Sequence, residues 1–245
     1  MEEKWFGFAC KKFVFEEHEA LIVFPKDGTG NGYLAIKTEY WNAFPEAAEI
    51  ELVKRGFHLC FIKNDNVWAR EADIDRKARF IRFVQAEYRL KQKCVPVGMS
   101  CGGLYALTLA ARYPELIQCM YIDAPVVNFL SCPCGMGAAK PMSEEIQTKF
   151  LSAMGVTSVS QLLACRDMPL DKLSVLTARN IPIVLVSGDS DTIVPFEENG
   201  LLVQKAYKDA GAEIVVYIKP GGDHHPHGLP DAAPIVEFIL EHCNE

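Results

Sequence analysis

Short apolar runs alternate with amphipathic segments along most of the chain, and this order limits the possible folds more than any other feature. The runs with the length and composition of strands are 10–17, 19–25, 57–63, 94–99, 117–125, 181–188 and 212–220. Segments with helical spacing of apolar residues lie between or after them, at 40–56, 73–93, 101–115, 196–211 and 231–243. Repeated strand and helix units predict an α/β fold, with a mostly parallel twisted sheet and helices on both faces.

One long segment interrupts this alternation. Between about residues 126 and 180 the chain has turn residues, two short amphipathic stretches at 143–154 and 157–165, and no convincing strand. We expect this segment to form a small helical cap over one end of the sheet. A chain of 245 residues is compatible with one domain, so we predict a single domain, 1–245, with the cap at about 126–180.

Charge and hydropathy exclude several classes of function. The chain has 25 Lys and Arg against 32 Asp and Glu, a formal charge of −7, so nucleic acids and anionic membranes are poor partners. The N-terminal segment is acidic and mixed, and no apolar stretch approaches the ~20 residues that span a bilayer. Nine cysteines, mostly in apolar segments, indicate free thiols in a reducing compartment. These features predict a soluble cytoplasmic protein.

The segment PVGMSCGG, residues 96–103, places Ser100 between a predicted strand and a predicted helix. Presenting a side chain there needs a sharp turn, which favours the absence of a Cβ at both Gly98 and Gly102. A nucleophilic serine also needs a base, an orienting acid and amide donors for an oxyanion. The N–H of Cys101, at the start of the helix, is the first such donor that we predict. The alternative is an ordinary turn with a hydrogen-bonded serine.

Candidates for the acid and the base follow Ser100 in the chain, each after a predicted strand. The segment VSGDSDTIVP, 186–195, holds Asp189 and Asp191, and KPGGDHHPHGL, 219–229, holds three histidines. Asp123 also lies at a strand end and is a further candidate acid. The carboxyl ends of parallel strands meet at one edge of a sheet, so these residues can converge. The chain order of serine, acid and histidine is that of a known class of serine hydrolases.

The sequence resembles the α/β-hydrolase superfamily over nearly its whole length. The motifs that carry the likeness are VGMSCGGLYAL, GDSDTIVP and GGDHHPHG. Within the superfamily the chain is most similar to the esterase and prolyl-oligopeptidase-like branch. The resemblance implies Ser100 as nucleophile, Asp191 as the acid and His224 as the base, and it implies no cofactor. Asp189 then has a structural role in its turn.

The second oxyanion donor is less clearly marked in the sequence. The HG-type signature that often supplies it is missing, because the chain continues as KDGTGNG after the strand at 19–25. We therefore expect this donor to be a backbone N–H near Lys26. The aromatic residues Tyr40, Trp41 and Phe44 have helical spacing, and we expect them to belong to the core.

The histidine-rich loop raises the question of a metal site. His225 and His227 lie beside His224, and histidine clusters often bind metals. A metal site would also need carboxylates or thiolates at suitable spacing, and Cys132-x-Cys134 is not a usual zinc pair. We predict no metal, and we expect the Cys101 thiol to pack rather than to react.

Together the motifs and the resemblance predict a serine hydrolase that cleaves carboxylic esters of small or medium size through an acyl-enzyme. The expected partner is a small-molecule ester, with no nucleic acid and no membrane. A homodimer formed through apolar cap residues is also compatible with the sequence. Two alternatives stay open, namely a peptidase of the prolyl-oligopeptidase type and a non-catalytic binding protein of the same fold.

Overall fold

One sheet of nine strands organises the protein, whose computed structural model describes residues 3–43 and 46–243. The order across the sheet is β1-β2-β3-β5-β4-β6-β7-β8-β9. The strands are β1 (Glu3–Trp5), β2 (Phe8–Phe15), β3 (His18–Val23), β4 (Leu34–Lys37), β5 (His58–Ile62), β6 (Cys94–Met99), β7 (Met120–Asp123), β8 (Ile183–Gly188) and β9 (Ile214–Lys219).

Strand direction divides the sheet into two parts. β4 to β9 are parallel to one another, whereas β1, β2 and β3 form an antiparallel extension at one side, and β3 pairs antiparallel with β5. β6 and β7, in the middle, are buried at every position, as strands covered on both faces should be. The predicted α/β fold with a mostly parallel sheet is confirmed.

Helices cover both faces of the sheet. α1 and α8 pack on one face, while α2, α3 and α7 pack on the other, each through a stripe of buried apolar residues. In the described residues the helices are α1 (Ala47–Lys54), α2 (Glu71–Glu87), α3 (Cys101–Arg112), α4 (Glu144–Ala153), α5 (Val159–Leu162), α6 (Leu173–Ala178), α7 (Gly200–Asp209) and α8 (Ala233–Cys243). In the part of the chain that the structure describes, none of these helices is long and apolar enough to cross a bilayer.

The segment between β7 and β8 contains three of these helices. α4 and α5 fall where the sequence has its two amphipathic stretches, and Phe150 of α4 packs against Trp68 and Phe129 at ring-centroid distances of 4.8 and 5.1 Å. α6 packs against α3 and α7, because Leu173 and Leu176 are buried. This last helix therefore extends the helical layer over a sheet face, rather than capping the sheet edge.

Two elements differ from those predicted, namely the additional strand β4 and a shorter first helix. Residues 34–37 form a fully buried strand between β5 and β6, in a stretch where the sequence pattern predicts no strand. Four residues between polar turns are too short for a periodicity argument. The predicted helix at 40–56 begins only at Ala47, and Tyr40 and Asn42 have φ of 59°, which a helix does not contain. Phe44 lies outside the described residues.

Candidate active site

Ser100 lies on a strained turn between β6 and α3. Its φ of 54° and ψ of −118° are unusual for a residue with a side chain, and its own carbonyl accepts the N–H of Gly103 from the first turn of α3. Gly98 makes this turn possible, because a Cβ at residue 98 would lie 2.2 Å from the carbonyl oxygen of Gly102. The sharp strand-to-helix turn expected from the sequence is present.

The glycines that the turn requires are not the expected pair of Gly98 and Gly102. A Cβ at Gly102 would lie 3.3 Å from Thr38 Oγ1, a contact that a small adjustment relieves. A Cβ at Gly103, by contrast, would lie 2.5 Å from the Pro125 Cβ. Gly98 and Gly103 are therefore the sterically required glycines. The reason is that α3 packs its first turn against the chain that leaves β7, a contact that no local motif reveals.

Asp191 and His224 meet Ser100 at the carboxyl edge of the sheet. His224 Nε2 lies 3.1 Å from Ser100 Oγ, and His224 Nδ1 lies 2.7 Å from Asp191 Oδ2. All three residues are buried, and their side chains come from the ends of β6, β8 and β9. Since a carboxylate only accepts, Nδ1–H donates to Asp191 and Nε2 faces the serine hydroxyl as an acceptor. A serine nucleophile with a general base and an orienting acid requires a hydrogen-bond chain of this kind.

The turn after β8 keeps Asp191 ionised. Burial raises the pKa of its carboxyl, but the hydrogen bond to His224 and the N–H groups of Val194 and Ile193 outweigh burial and lower the pKa below its ordinary value. Both of these N–H groups donate to Asp191 Oδ1 at 2.8 Å, which leaves Oδ2 for the histidine. The carboxylate is thus fixed in orientation as well as in charge.

The two rival aspartates bind other groups. Asp189 is exposed, and its Oδ1 accepts the N–H of Gly221 at 2.7 Å, so it links the turn after β8 to the turn after β9. Asp123 lies at the end of β7, and its Oδ1 accepts from His227 Nδ1 at 2.8 Å. Of the three aspartates weighed from the sequence, Asp191 is the one that contacts His224.

His224, His225 and His227 form a cluster whose nitrogen atoms lie within 4.8 Å of one another. Two of the three imidazoles already bind carboxylates, since His224 pairs with Asp191 and His227 with Asp123. Each pair fixes one ring nitrogen as a donor. The Cys132 and Cys134 thiols do not belong to this cluster among the described residues. Hydrogen bonding to carboxylates accounts for two of the three histidines in the sequence motif.

The expectation for Lys26 is wrong. It follows β3, which runs antiparallel to β5, so the end of β3 lies at the edge where the parallel strands begin. The pairing of Val23 with Leu59, at the start of β5, fixes this direction. Ser100 lies at the opposite edge. Without β4 the loop at 26–33 appeared to be the one beside the serine, and this is why the sequence led to the wrong residue.

The loop that does lie beside Ser100 follows β4 and contains Thr38 and Tyr40. Thr38 Oγ1 lies 2.7 Å from the Gly102 carbonyl oxygen and 3.1 Å from that of Val97, so it ties β4 to the serine turn. The Tyr40 hydroxyl is hydrogen-bonded to the Cys101 thiol, and burial raises the pKa of Tyr40. Tyr40 was expected to be a core residue on a helix. No local signal identifies its true position, because the LAIK segment that ends three residues earlier is too short to show a strand period.

Cys101 contributes two groups beside the serine. As the first residue of α3, it has a backbone N–H in the turn whose amides lack intrahelical acceptors. Its thiol is buried, and burial raises the pKa to about 11, so the thiol is neutral at pH 7. A neutral thiol is a poor nucleophile, which agrees with the expectation that Cys101 packs.

A groove of about 710 Å³ opens beside the loop after β4, at the carboxyl edge of the sheet. Trp41 and Phe61 form one wall, with their ring centroids 5.8 Å apart. The groove runs from Tyr40 toward the hairpin of β2 and β3. Its lining residues are Lys12, Phe13, Val14, Glu19, Ala20, Leu21, Glu39, Tyr40, Trp41, Asn42, Phe61 and Lys63.

Solved structures of two peptidases resemble this fold. Porphyromonas gingivalis dipeptidyl peptidase 4 aligns with a TM-score of 0.72 and 15% identity over 96% of this chain and 35% of that chain. Pyrococcus horikoshii acylaminoacyl peptidase aligns with a TM-score of 0.70 and 14% identity over 96% of this chain and 41% of that chain. This chain thus spans well under half the length of either protein. At such identities the likeness shows the fold alone.

The family comes from a sequence comparison. The family model described as the prolyl oligopeptidase family matches residues 74–245, which is more than half of the chain. The matched part contains α3 and the last strands, and with them all three residues of the hydrogen-bond chain. The prolyl-oligopeptidase-like resemblance seen in the motifs is confirmed. The chain belongs to the prolyl oligopeptidase family of serine hydrolases.

Proposed function

We propose that this protein is a peptidase-type serine hydrolase that cleaves an amide bond through an acyl-enzyme on Ser100. One observation carries the proposal, namely the continuous hydrogen-bond chain from Ser100 Oγ through His224 to Asp191, at 3.1 and 2.7 Å. Family membership supports the same chemistry. A non-catalytic binding protein would have no need of this geometry.

The reaction proceeds in two half-reactions. As Ser100 Oγ attacks the carbonyl carbon, its proton moves to His224 Nε2, and Asp191 stabilises the imidazolium that forms. His224 then gives this proton to the leaving nitrogen as the C–N bond breaks, which releases the amine and leaves an ester on Ser100. Water attacks this ester, its proton passes to His224 and then to Ser100 Oγ, and a carboxylic acid leaves. No cofactor takes part in this scheme.

Two donors are available for the oxyanion of the tetrahedral intermediates. The Cys101 N–H lies at the positive end of α3, where a negative charge is stabilised by the helix dipole. The Tyr40 hydroxyl, on the adjacent loop after β4, is the second donor that we propose, because it lies next to Cys101 and its single O–H turns from the Cys101 sulfur to the oxyanion. Lys26 has no part in this arrangement.

Amide cleavage is favoured over the ester specificity expected from the sequence. The prolyl oligopeptidase family, and the peptidases whose structures resemble this one, support a peptide-type substrate. The groove of about 710 Å³ is lined by Tyr40 but not by Ser100, so we propose it for substrate residues away from the scissile bond, with the rings of Trp41 and Phe61 as an apolar wall. Carboxylic esters remain the second candidate, because an acyl-enzyme mechanism accepts both leaving groups.

A matched pair of substrates tests the proposal. Each blocked dipeptide, with or without proline next to the scissile bond, is offered as a 4-nitroanilide and as a 4-nitrophenyl ester, so only the leaving group differs. We expect wild-type protein to release 4-nitroaniline and Ser100→Ala to lose this activity. Ester cleavage without any anilide cleavage across the series would overturn the peptidase specificity and favour a carboxylesterase.

A separate measurement tests the nucleophile itself. Treatment with a fluorophosphonate, followed by intact mass and peptide mapping, should give one adduct on Ser100 of the wild-type protein and none on folded Ser100→Ala. If folded wild-type protein formed no adduct, the acyl-enzyme mechanism would fail for every substrate, and the binding-protein alternative would be preferred.

A further inference from the structure

A second carboxylate and histidine pair lies directly beside the first. His227 Nδ1 donates to Asp123 Oδ1 at 2.8 Å, and both side chains have no exposed surface. The other carboxylate oxygen of Asp123 accepts the N–H of Gly228 at 2.6 Å and lies 3.3 Å from the Tyr121 hydroxyl. Hydrogen-bond donors on both carboxylate oxygens offset the desolvation cost of burying the Asp123 charge. We refer to Asp123 and His227 as the positioning pair.

Asp123 is also bonded to the nucleophile turn. Its backbone carbonyl accepts the N–H of Ser100 at 2.8 Å, and the carbonyl of Ser100 accepts the N–H of Val126 at 3.2 Å. The backbone of Asp123 thus holds the serine while its side chain holds the loop after β9. One residue therefore fixes the separation between the nucleophile and the loop that carries the base.

His227 in turn contacts the base. The ring centroids of His227 and His224 lie 4.9 Å apart, and the ring planes meet at 78°, so the two imidazoles pack edge to face. The hydrogen bonds of His224 to Ser100 and Asp191 fix its ring nitrogens, and His227 supplies the packing surface next to that ring. Because Asp123 fixes His227, the orientation of the base depends on a residue that itself does not touch Ser100 Oγ.

We propose that Asp123 and His227 act as positioning residues for the proposed hydrolysis, by locking the base-bearing loop onto the strand next to the nucleophile. The inference rests on the proposed function, but it concerns residues outside the serine, histidine and aspartate chain. It explains why the loop sequence contains a third histidine that the reaction does not use. It also gives a role to Asp123, which the sequence presented only as a rival for the acid.

The test compares variants of His227. His227→Phe keeps a ring of similar size and removes the donor, whereas His227→Asn keeps a donor at the position of Nδ1. We expect His227→Phe to lower kcat and the rate of Ser100 labelling by about 10²-fold, with KM changed less than about threefold, because small misplacement of a catalytic group acts on the chemical step. His227→Asn should recover at least about tenfold of that loss.

His18 offers a matched control. His18 Nε2 lies 2.8 Å from Asp65 Oδ1, the same distance as in the positioning pair, but the Asp65 side chain is 58% exposed and His18 lies on β3, three strands away from β6. His18→Phe should leave kcat and KM unchanged. This control separates the loss of any histidine and carboxylate pair from the loss of this one.

Instability is separated from positioning by a double variant. His227→Phe leaves the Asp123 carboxylate without one of its hydrogen-bond partners, so we expect this variant to be less stable than wild type. The double variant Asp123→Asn with His227→Phe removes the charge and should restore part of the melting temperature. Positioning predicts that kcat stays low in the double variant despite the recovered stability. A kcat that recovered together with the melting temperature, or a folded His227→Phe with wild-type kcat, would overturn the inference. Absent Ser100 labelling in the wild-type protein would instead overturn the proposed function.

Discussion

The substitution Gly98→Ala tests the steric account of the serine turn. The new Cβ would lie 2.2 Å from the Gly102 oxygen, 2.3 Å from the Gly102 carbon and 2.6 Å from Thr38 Oγ1. None of these atoms is at the free end of a flexible side chain, since Gly102 belongs to the first turn of α3 and Thr38 is hydrogen-bonded to the turn. Because real Cβ contacts are not found below 3.0 Å, β6 and α3 must separate by about 0.8 Å.

This displacement sets the expected magnitudes. Ser100 lies between the two elements that separate, so its hydroxyl moves relative to His224 by a similar distance. A misplacement of about 1 Å costs about 10²-fold in rate, and overpacking of this kind costs about 1–3 kcal/mol of stability. We expect Gly98→Ala to lose about 10²-fold in the rate of fluorophosphonate labelling and about 2–3 kcal/mol in the free energy of unfolding.

Gly102→Ala is the matched control. Its Cβ would meet Thr38 Oγ1 at 3.3 Å, which a few tenths of an ångström relieve, and alanine is favoured over glycine in a helix by about 1 kcal/mol. Labelling should stay within about threefold of wild type, and stability should change by less than about 1 kcal/mol. Labelling rates and urea unfolding curves measure both quantities. Equal effects of the two substitutions, or a wild-type rate for Gly98→Ala, would refute the steric reasoning.

Three further predictions concern single residues. The positive φ of Ser100 strains any residue with a Cβ, so Ser100→Gly should be more stable than Ser100→Ala by about 1 kcal/mol in urea unfolding, and the reverse order would count against strain at this turn. The pKa of Asp191 is lowered, so its stabilising contribution is complete above the ordinary pKa of about 3.9 and is lost as the pH falls through the folded pKa. The loss of stability in Asp191→Asn should therefore be largest near pH 7 and smaller below pH 4. A loss that stayed constant with pH would contradict the lowered pKa. Burial lowers the pKa of Lys77 to about 8, so the charged lysine destabilises the fold below pH 8, and this cost fades as the pH approaches the unfolded pKa of 10.5. Lys77→Met should therefore be more stable than wild type by about 3 kcal/mol at pH 7 and no more stable near pH 10.5. A stability gain that did not change with pH would refute the lowered pKa.

Long apolar strands could be predicted from the sequence, and so could the motifs at their ends. β6, Cys94–Met99, coincides with the predicted run, and the segments that hold Asp191 and His224 follow strands as expected. The reason is physical, because a strand buried on both faces must be apolar throughout and must end in a polar turn. These three strand ends also lie at one edge, since they belong to the parallel part of the sheet.

β4 could not be predicted in this way, and a prediction that lacks this strand also places the residues around Ser100 wrongly. A run of four residues has no measurable period, and its identity as a strand depends on pairing with β5 and β6, which are distant in sequence. Without β4, the strand pattern places the loop after β3 beside the serine. It then predicts Lys26 as a donor and Tyr40 on a helix. One error in topology thus accounts for both errors at the site.

The positioning pair could not be found from the sequence for a different reason. Asp123 and His227 are each visible at strand ends, but which aspartate contacts which histidine depends on side-chain directions. Motif position favoured Asp191 for His224 and left Asp123 without a partner. The structure gives each aspartate its own histidine from the same loop.

The strand order explains why two such pairs occur together. Ser100 and Asp191 follow β6 and β8, which are separated by β7, so about 10 Å lies between the strands that carry them. His224 reaches back from β9, and its imidazole with two hydrogen bonds spans that gap. The last residue of β7, which lies between those two strands in the sheet, is Asp123. An unpaired carboxylate there would be a buried charge close to the base, so the fold requires a partner for it. His227, three residues after the base on the same loop, is that partner, and the pairing that satisfies the charge also fixes the loop on which His224 is carried.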